Sequence, residues 1–365
     1  MITSQVQYFI LYNVLLLVVI IEFVKNINRR ELIKNGNNIG FVLLVFMVSI
    51  IAFRDWASPG FGDSIVYGKY FDYAYTPQSV WYEKSKFFGY LYYYWRHYGL
   101  SPELFFFVSA CFYCFPMYLS SKILSRPYDA FYMLLFFACS FGWYSFGVNG
   151  IRNGWAIAML IWCLIAFYKN KHIESLTCAV FAWCIHGSSM IAIVGILGAF
   201  FYHKPKSAFK IWIACLIISL AVGSTVQEYL TTIGFINSDG GGYLSTSLND
   251  SSSSAALGGV FRWDFVVFSV LPILWGLHSL KIKCNDRRQY VFYEFLLCSY
   301  TYANAVWLLA IRASYTNRIA QLSWWMIPII VAFPIMHFDF TRRSRILAYA
   351  LLLCYSFTYF MYVIQ

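Results

Sequence analysis

Charge is scarce in this chain. Asp, Glu, Lys and Arg make up 12% of its 365 residues, about half of the ~25% usual in a soluble domain. So few charges do not cover a water-facing surface, and a disordered chain would lack the apolar residues that abound here. With 22 glycines the chain is no collagen, and ten cysteines in this length make no small disulfide scaffold. Catalytic signatures are missing too. No phosphate-binding P-loop, no G-x-G-x-x-G after a strand and no zinc or haem spacing is present, which excludes nucleotide and metal chemistry of those kinds. Cys111 and Cys114 form a lone pair in mid-helix and read, like the other span cysteines, as small apolar packing residues.

What is present is apolar: 60% hydrophobic residues and 21% aromatics. The composition defines an all-α polytopic membrane protein, residues 1–365 forming one integral membrane domain. Apolar runs near 8–24, 39–53, 102–121, 128–146, 154–168, 173–186, 189–202, 208–223, 264–280, 290–310, 318–336 and 346–363 predict about twelve spans. Tyr8–Val24 reads as a retained first span rather than a cleaved signal. The pair around His186 is short enough to read also as a broken or re-entrant helix. With the uncharged Met1–Gln7 outside, eighteen of the 27 Lys and Arg fall in inner loops and nine outside. That bias fits the positive-inside rule. It also accounts for the net charge of +11 without a nucleic-acid partner, since inner-face Lys and Arg sit beside anionic membrane lipid.

Two outer loops are long. Residues 54–101 interleave Tyr, Trp and Phe with charges, which predicts amphipathic helices at the interface, where some rings could also stack on sugars. Residues 224–263, with Gly240–Gly242 and Ser251–Ser254, read as a flexible loop.

Positive-inside bias does not explain the charges at the outer ends of spans. Five are arginines: Arg54, Arg152, Arg262, Arg312 and Arg318. Asp55 and Asp63 lie near Arg54, and Asp264 is two residues after Arg262. Arg152 has Asn149 and Asn153 as neighbours, and Arg312 and Arg318 flank Asn317. Arginine at membrane depth usually faces a polar cavity or a partner, and its planar fork suits phosphate. The set points to an outward-facing site for an anion such as a diphosphate; headgroup snorkelling is the plainer reading of any one of them. His186 ends a span at the same face and reads either as a structural histidine or as a base that orients a hydroxyl.

Four segments then fall into a familiar order. Phe53-Arg54-Asp55, Gly62-Asp63, Tyr67, Tyr70-Phe71, Glu83 and Gly89-Tyr90 come first. Gly150-Ile151-Arg152-Asn153-Gly154-Trp155-Ala156 follows, with His186 some way beyond, then Phe261-Arg262-Trp263-Asp264 to Pro272 and Ser314-Tyr315-Thr316-Asn317-Arg318 to Pro328. In that order they resemble the EpsG/Wzy-type family of O-antigen and exopolysaccharide repeat-unit polymerases. Asn153 and Lys84 depart from the family pattern, where Gln and Pro are common.

The resemblance implies a metal-independent glycosyltransferase without cofactors, in the bacterial inner membrane, with its active site facing the periplasm. Such enzymes move the growing glycan from undecaprenyl diphosphate to the non-reducing end of a lipid-linked repeat unit. A protein that regulates chain length is an implied partner. Arg152, Arg318 and Arg262 would hold the donor diphosphate, with Arg54 and Arg312 beside them. Asp63 or His186 would activate or orient the acceptor hydroxyl, and Asn149, Asn317 and Glu83 would complete the glycan and diphosphate site. An O-antigen ligase or a sugar O-acyltransferase shares many of these features, and a lipid-linked oligosaccharide flippase shares fewer.

Overall fold

A computed structural model describes residues 4–29, 37–71, 76, 78, 80, 86–232, 261–313 and 316–364. Helices dominate the described residues, and six are long and apolar enough to cross a membrane: Ser4–Ile27, Pro102–Leu124, Ile151–Tyr168, Pro205–Gly223, Thr316–His337 and Arg343–Val363. Shorter apolar helices lie between them. The chain divides into two compact units, His186–Pro334 forming one and the remainder the other.

The larger unit contains α1 (Ser4–Ile27), α2 (Asn37–Ala52), α3 (Ser64–Lys69), α4 (Lys86–His97), α5 (Pro102–Leu124) and α6 (Ala130–Cys139). It continues through α7 (Trp143–Val148), α8 (Ile151–Tyr168), α9 (His172–Ile185) and α16 (Arg343–Tyr359). Helix α1 shows the membrane pattern most plainly. Phe9, Leu17 and Val24 point outward while Gln7, Glu22 and Asn26 are buried, the reverse of a water-soluble helix and the arrangement a lipid solvent requires. Each buried polar group has a partner. Gln7 donates to the Ile50 carbonyl on α2. Asn26 Nδ2 reaches Glu22 Oε2 and the Tyr132 hydroxyl, both at 3.3 Å. Ser344 Oγ donates to Asn26 Oδ1 over 2.6 Å, which joins α16 to α1. Helix α5 opens on Ser101, whose hydroxyl accepts from the Leu104 amide at 3.3 Å with Pro102 in the first turn. Helix α8 packs on both α5 and α9, and Trp155 stacks on Phe112 with ring centres 4.4 Å apart.

Within residues 54–101, α4 buries Phe88 and Tyr92 and exposes Tyr94. Most of the 224–263 loop lies outside the described residues. The helix before it continues beyond the apolar run that ends at 223, as far as Thr232, with a break in its backbone geometry at Val222.

The second unit contains α10 (Met190–Phe201), α11 (Pro205–Thr232), α12 (Trp263–Ser279), α13 (Arg287–Leu309), α14 (Thr316–Trp324) and the start of α15 (Ile327–His337), up to Pro334. Helix α13 is its axis, with α10 and α11 lying along it. Gly195 makes the first approach close, since a Cβ there would sit 2.4 Å from the Ser299 carbonyl oxygen. The buried hub is Asn304, with 0% exposure. Its Oδ1 accepts from Trp212 Nε1 on α11 at 2.8 Å. Its Nδ2 donates to Ser269 Oγ on α12 at 3.2 Å and to Ser323 Oγ on α14 at 3.0 Å. Trp324 Nε1 also donates to Ser269 Oγ, at 2.8 Å. One amide side chain thus ties four helices. Replacing Asn304 with Ala should cost about 2–4 kcal/mol, because each buried polar group left without a partner costs ~1–3 kcal/mol. A clear drop in the thermal or SDS-unfolding midpoint of the purified protein is the expected reading.

Candidate active site

In a continuous helix the Arg152 amide would donate to the Val148 carbonyl, four residues earlier. Here α7 ends at Val148 and α8 begins at Ile151, with Asn149 and Gly150 between them. That break divides one backbone hydrogen bond into an acceptor and a donor, and buried halves of this kind need other partners. Residues 54–64 provide them for the acceptor. Ser64 Oγ donates to the Val148 oxygen at 2.6 Å and Arg54 Nη2 at 3.3 Å. On the donor side, Gly150, the residue before α8, provides no side-chain cap. The buried Tyr67 phenol lies close enough to Arg152 for the arginine's charge to act on it.

The same junction holds the turn ahead of α3. Asn149 Oδ1 accepts from the Asp63 amide at 2.7 Å. Gly62 lies beside it with φ of +57°, and a Cβ there would come within 2.7 Å of the Asn149 side chain. Only glycine meets both demands. Asp63 begins α3 and stands one helical turn before Tyr67, close enough for its charge to act on the phenol. Asp63 and Arg152 are half-buried, whereas Tyr67 is 5% exposed.

Arg54 occupies a different kind of place. It is 3% exposed, its Nη1 donates to the Ile51 carbonyl at 2.5 Å and its Nε to Ser64 Oγ at 3.0 Å. Its guanidinium lies 4.4 Å from the centre of the Phe106 ring. These bonds join the end of α2 to the α7–α8 break, which is framework rather than an open anion site. The larger unit therefore brings together Arg54, Asp63, Asn149 and Arg152 of the residues singled out in the sequence. Glu83 lies outside the described residues. Ser64 and Tyr67 are additions. Tyr67 stands within the family-like motif, but its aromatic neighbours make it read as an interface anchor. The distinguishing signal was its place four residues after Asp63.

The second unit carries its own set. His186, 8% exposed and extended in backbone, precedes the 3-10 turn Gly187–Ser189, which lies against α14. Asn317 and Arg318 are half-buried in the first turn of α14. That helix is anchored at its start, where the Thr316 hydroxyl accepts from Trp307 Nε1 at 2.9 Å. Arg312 lies 5.4 Å from the centre of the Phe261 ring and packs beside Gly223. Arg262 is engaged from within its own segment. Its Nε and Nη2 reach Asp264 Oδ1 at 2.9 Å and Oδ2 at 2.6 Å, and the guanidinium covers Phe265 at 3.8 Å. A fork closed on a carboxylate in this way has little to offer a phosphate. Among the described residues no group of three or more His, Cys, Asp or Glu could hold a metal ion.

Long apolar helices, buried polar hubs and outward-facing apolar side chains define a multi-pass helical membrane protein. Residues 37–365 match the EpsG family, and the chain belongs to it. Membership makes this a membrane protein of the polysaccharide-polymerase type. No curated protein and no solved structure matches the chain.

Arg54→Ala should leave the Val148 oxygen and the Ser64 hydroxyl poorly paired and cost about 3 kcal/mol or more, as removal of one partner from a buried charged network does. Reduced recovery of folded protein and a lower unfolding midpoint are expected, with Arg54→Lys intermediate.

Proposed function

We propose that the protein is a repeat-unit polymerase of the bacterial inner membrane, transferring a growing glycan from undecaprenyl diphosphate to the non-reducing end of a lipid-linked repeat unit at the periplasmic face. In this reading it crosses the membrane about twelve times with both termini outside. The observation that carries the reading is Arg152 in the first turn of α8, with Tyr67, Asp63 and Asn149 around it. A guanidinium at a helix N-terminus combines a permanent charge with the positive end of the helix dipole, and both favour a diphosphate.

The reaction balances without a metal. The acceptor hydroxyl oxygen attacks the anomeric carbon, its proton passes to a base, and the anomeric C–O bond breaks with its electron pair left on the diphosphate. Arg152 neutralises the charge that grows on that leaving group. Asp63 is the base of this proposal within the larger unit, since a carboxylate suits a displacement of this kind. Within the second unit taken by itself, Arg318, Asn317 and Arg312 are assigned to phosphate binding and His186 to orienting a hydroxyl. Arg262 and Arg54 are given framework roles.

A gel of lipid-linked and surface glycans from cells with and without the gene tests the reading. Collapse of a ladder to a single repeat unit is expected on deletion. Loss of surface glycan with long lipid-linked polymer accumulating would instead indicate a ligase. Arg152→Ala should abolish polymer at unchanged protein level. Arg152→Lys should leave a small residue of activity, because it keeps charge and loses the fork.

A further inference from the structure

Three consecutive residues ahead of and at the start of α3 are fastened to the break between α7 and α8. Gly62 packs so closely on Asn149 that a Cβ there would come within 2.7 Å of its side chain. The Asp63 amide donates to Asn149 Oδ1 at 2.7 Å, and Ser64 Oγ donates to the Val148 oxygen at 2.6 Å. Asn149 is fixed on its own side as well. Its amide donates to the Ser145 carbonyl at 2.7 Å, and the Gly150 amide donates to the same oxygen at 3.0 Å. The two helices meet tightly at this corner, since a Cβ on Gly154 would lie 2.7 Å from the Phe146 carbonyl oxygen. Asn149 therefore joins the backbone of Asp63 to a packed corner one turn ahead of Arg152. All of these residues belong to the larger unit. Asp63 holds the N-cap position of α3, yet its carboxylate does not cap that helix, which is the usual structural use of an aspartate there.

We propose that Asn149 is a positioning residue that fixes the Asp63 carboxylate relative to the start of α8, acting through the Asp63 backbone and not as a ligand of the glycan. This rests on the polymerase reading above, in which Asp63 is the base. A base takes a proton only from a hydroxyl within hydrogen-bond reach, and a misplacement of about 1 Å costs on the order of 10²-fold in rate. A residue at the mouth of a short helix has little regular structure to hold it, so neighbouring side chains must set its place. The two roles open to Asn149 differ in kinetics. Loss of a ligand raises KM, whereas loss of alignment lowers kcat and leaves KM nearly unchanged.

The test uses the full chain in lipid nanodiscs, with lipid-linked repeat units extracted from cells lacking the gene as substrate. The readouts are kcat and KM, with unfolding midpoints measured alongside so that rates are compared among folded proteins. Asn149→Ala removes the acceptor and should lower kcat by about tenfold or more while KM changes less than about twofold. Asn149→Asp keeps an acceptor oxygen in the same shape and should restore most of the lost turnover. Gly62→Ala drives a methyl group into the Asn149 side chain and should reproduce the Asn149→Ala pattern; it decides the matter if Asn149→Ala does not fold. Raised KM at unchanged kcat would overturn the proposal in favour of a ligand role. Wild-type kcat in folded Asn149→Ala would overturn it too, and so would Asn149→Asp as slow as Asn149→Ala. Wild-type kcat in Asp63→Asn would remove the reading beneath it. That outcome is distinct from a slow Asp63→Asn beside a normal Asn149→Ala, which sinks the positioning role alone.

Discussion

A broken helix in a membrane protein leaves backbone groups that water is not there to satisfy, and the break between α7 and α8 is the constraint on which much of the larger unit depends. The Val148 oxygen and the Arg152 amide would have bonded each other in an unbroken helix. Instead the oxygen takes Ser64 and Arg54. Residues 54–67 are consequently an ordered part of the architecture. The end of α2, the turn at Gly62 and the short helix α3 are each fixed by what the break needs. Arg152 stands in the first turn of α8, directly beyond the break.

The second unit meets the same rule by a different route. Its helices α11 to α14 are joined through one buried amide, Asn304, whose oxygen and nitrogen are both fully used. Ser269, Ser323 and Trp324, which belong to the family-like segments, are spent on this hub rather than on a ligand. Motif residues in this chain therefore separate into two kinds, those that build the polar interior and those left near its outer turns.

Helix positions were legible from the apolar runs that a lipid solvent demands. The run at 102–121 falls within α5, and that at 290–310 nearly coincides with α13. Breaks were less legible. The run predicted to begin at 154 is a helix from Ile151, so the polar residues around Arg152 belong to the helix as well. Local pairing could be read directly: Asp264 is two residues from Arg262 and does hold it. Arg54 could not be placed in this way, because Val148 lies 94 residues away in sequence. Asn304 had no signal at all, with partners 19, 35 and 92 residues distant. That Arg54 braces the framework is therefore invisible until such partners are known.

The pairing of α1 with α16 bears on how the protein is made. Tyr355 donates to the Tyr12 carbonyl, Ser344 to Asn26 and Arg345 to the Ile27 carbonyl at 3.0 Å, while Tyr362 stacks on Tyr12 at 5.2 Å. The Asn26 and Ser344 partners lie 318 residues apart, so α1 is made long before the helix it pairs with. Until synthesis reaches α16, the polar side of α1 has only part of its final company. The newborn chain must keep that helix in the bilayer, or beside the insertion machinery, with Asn26 incompletely housed, so the larger unit closes only once α16 has been made.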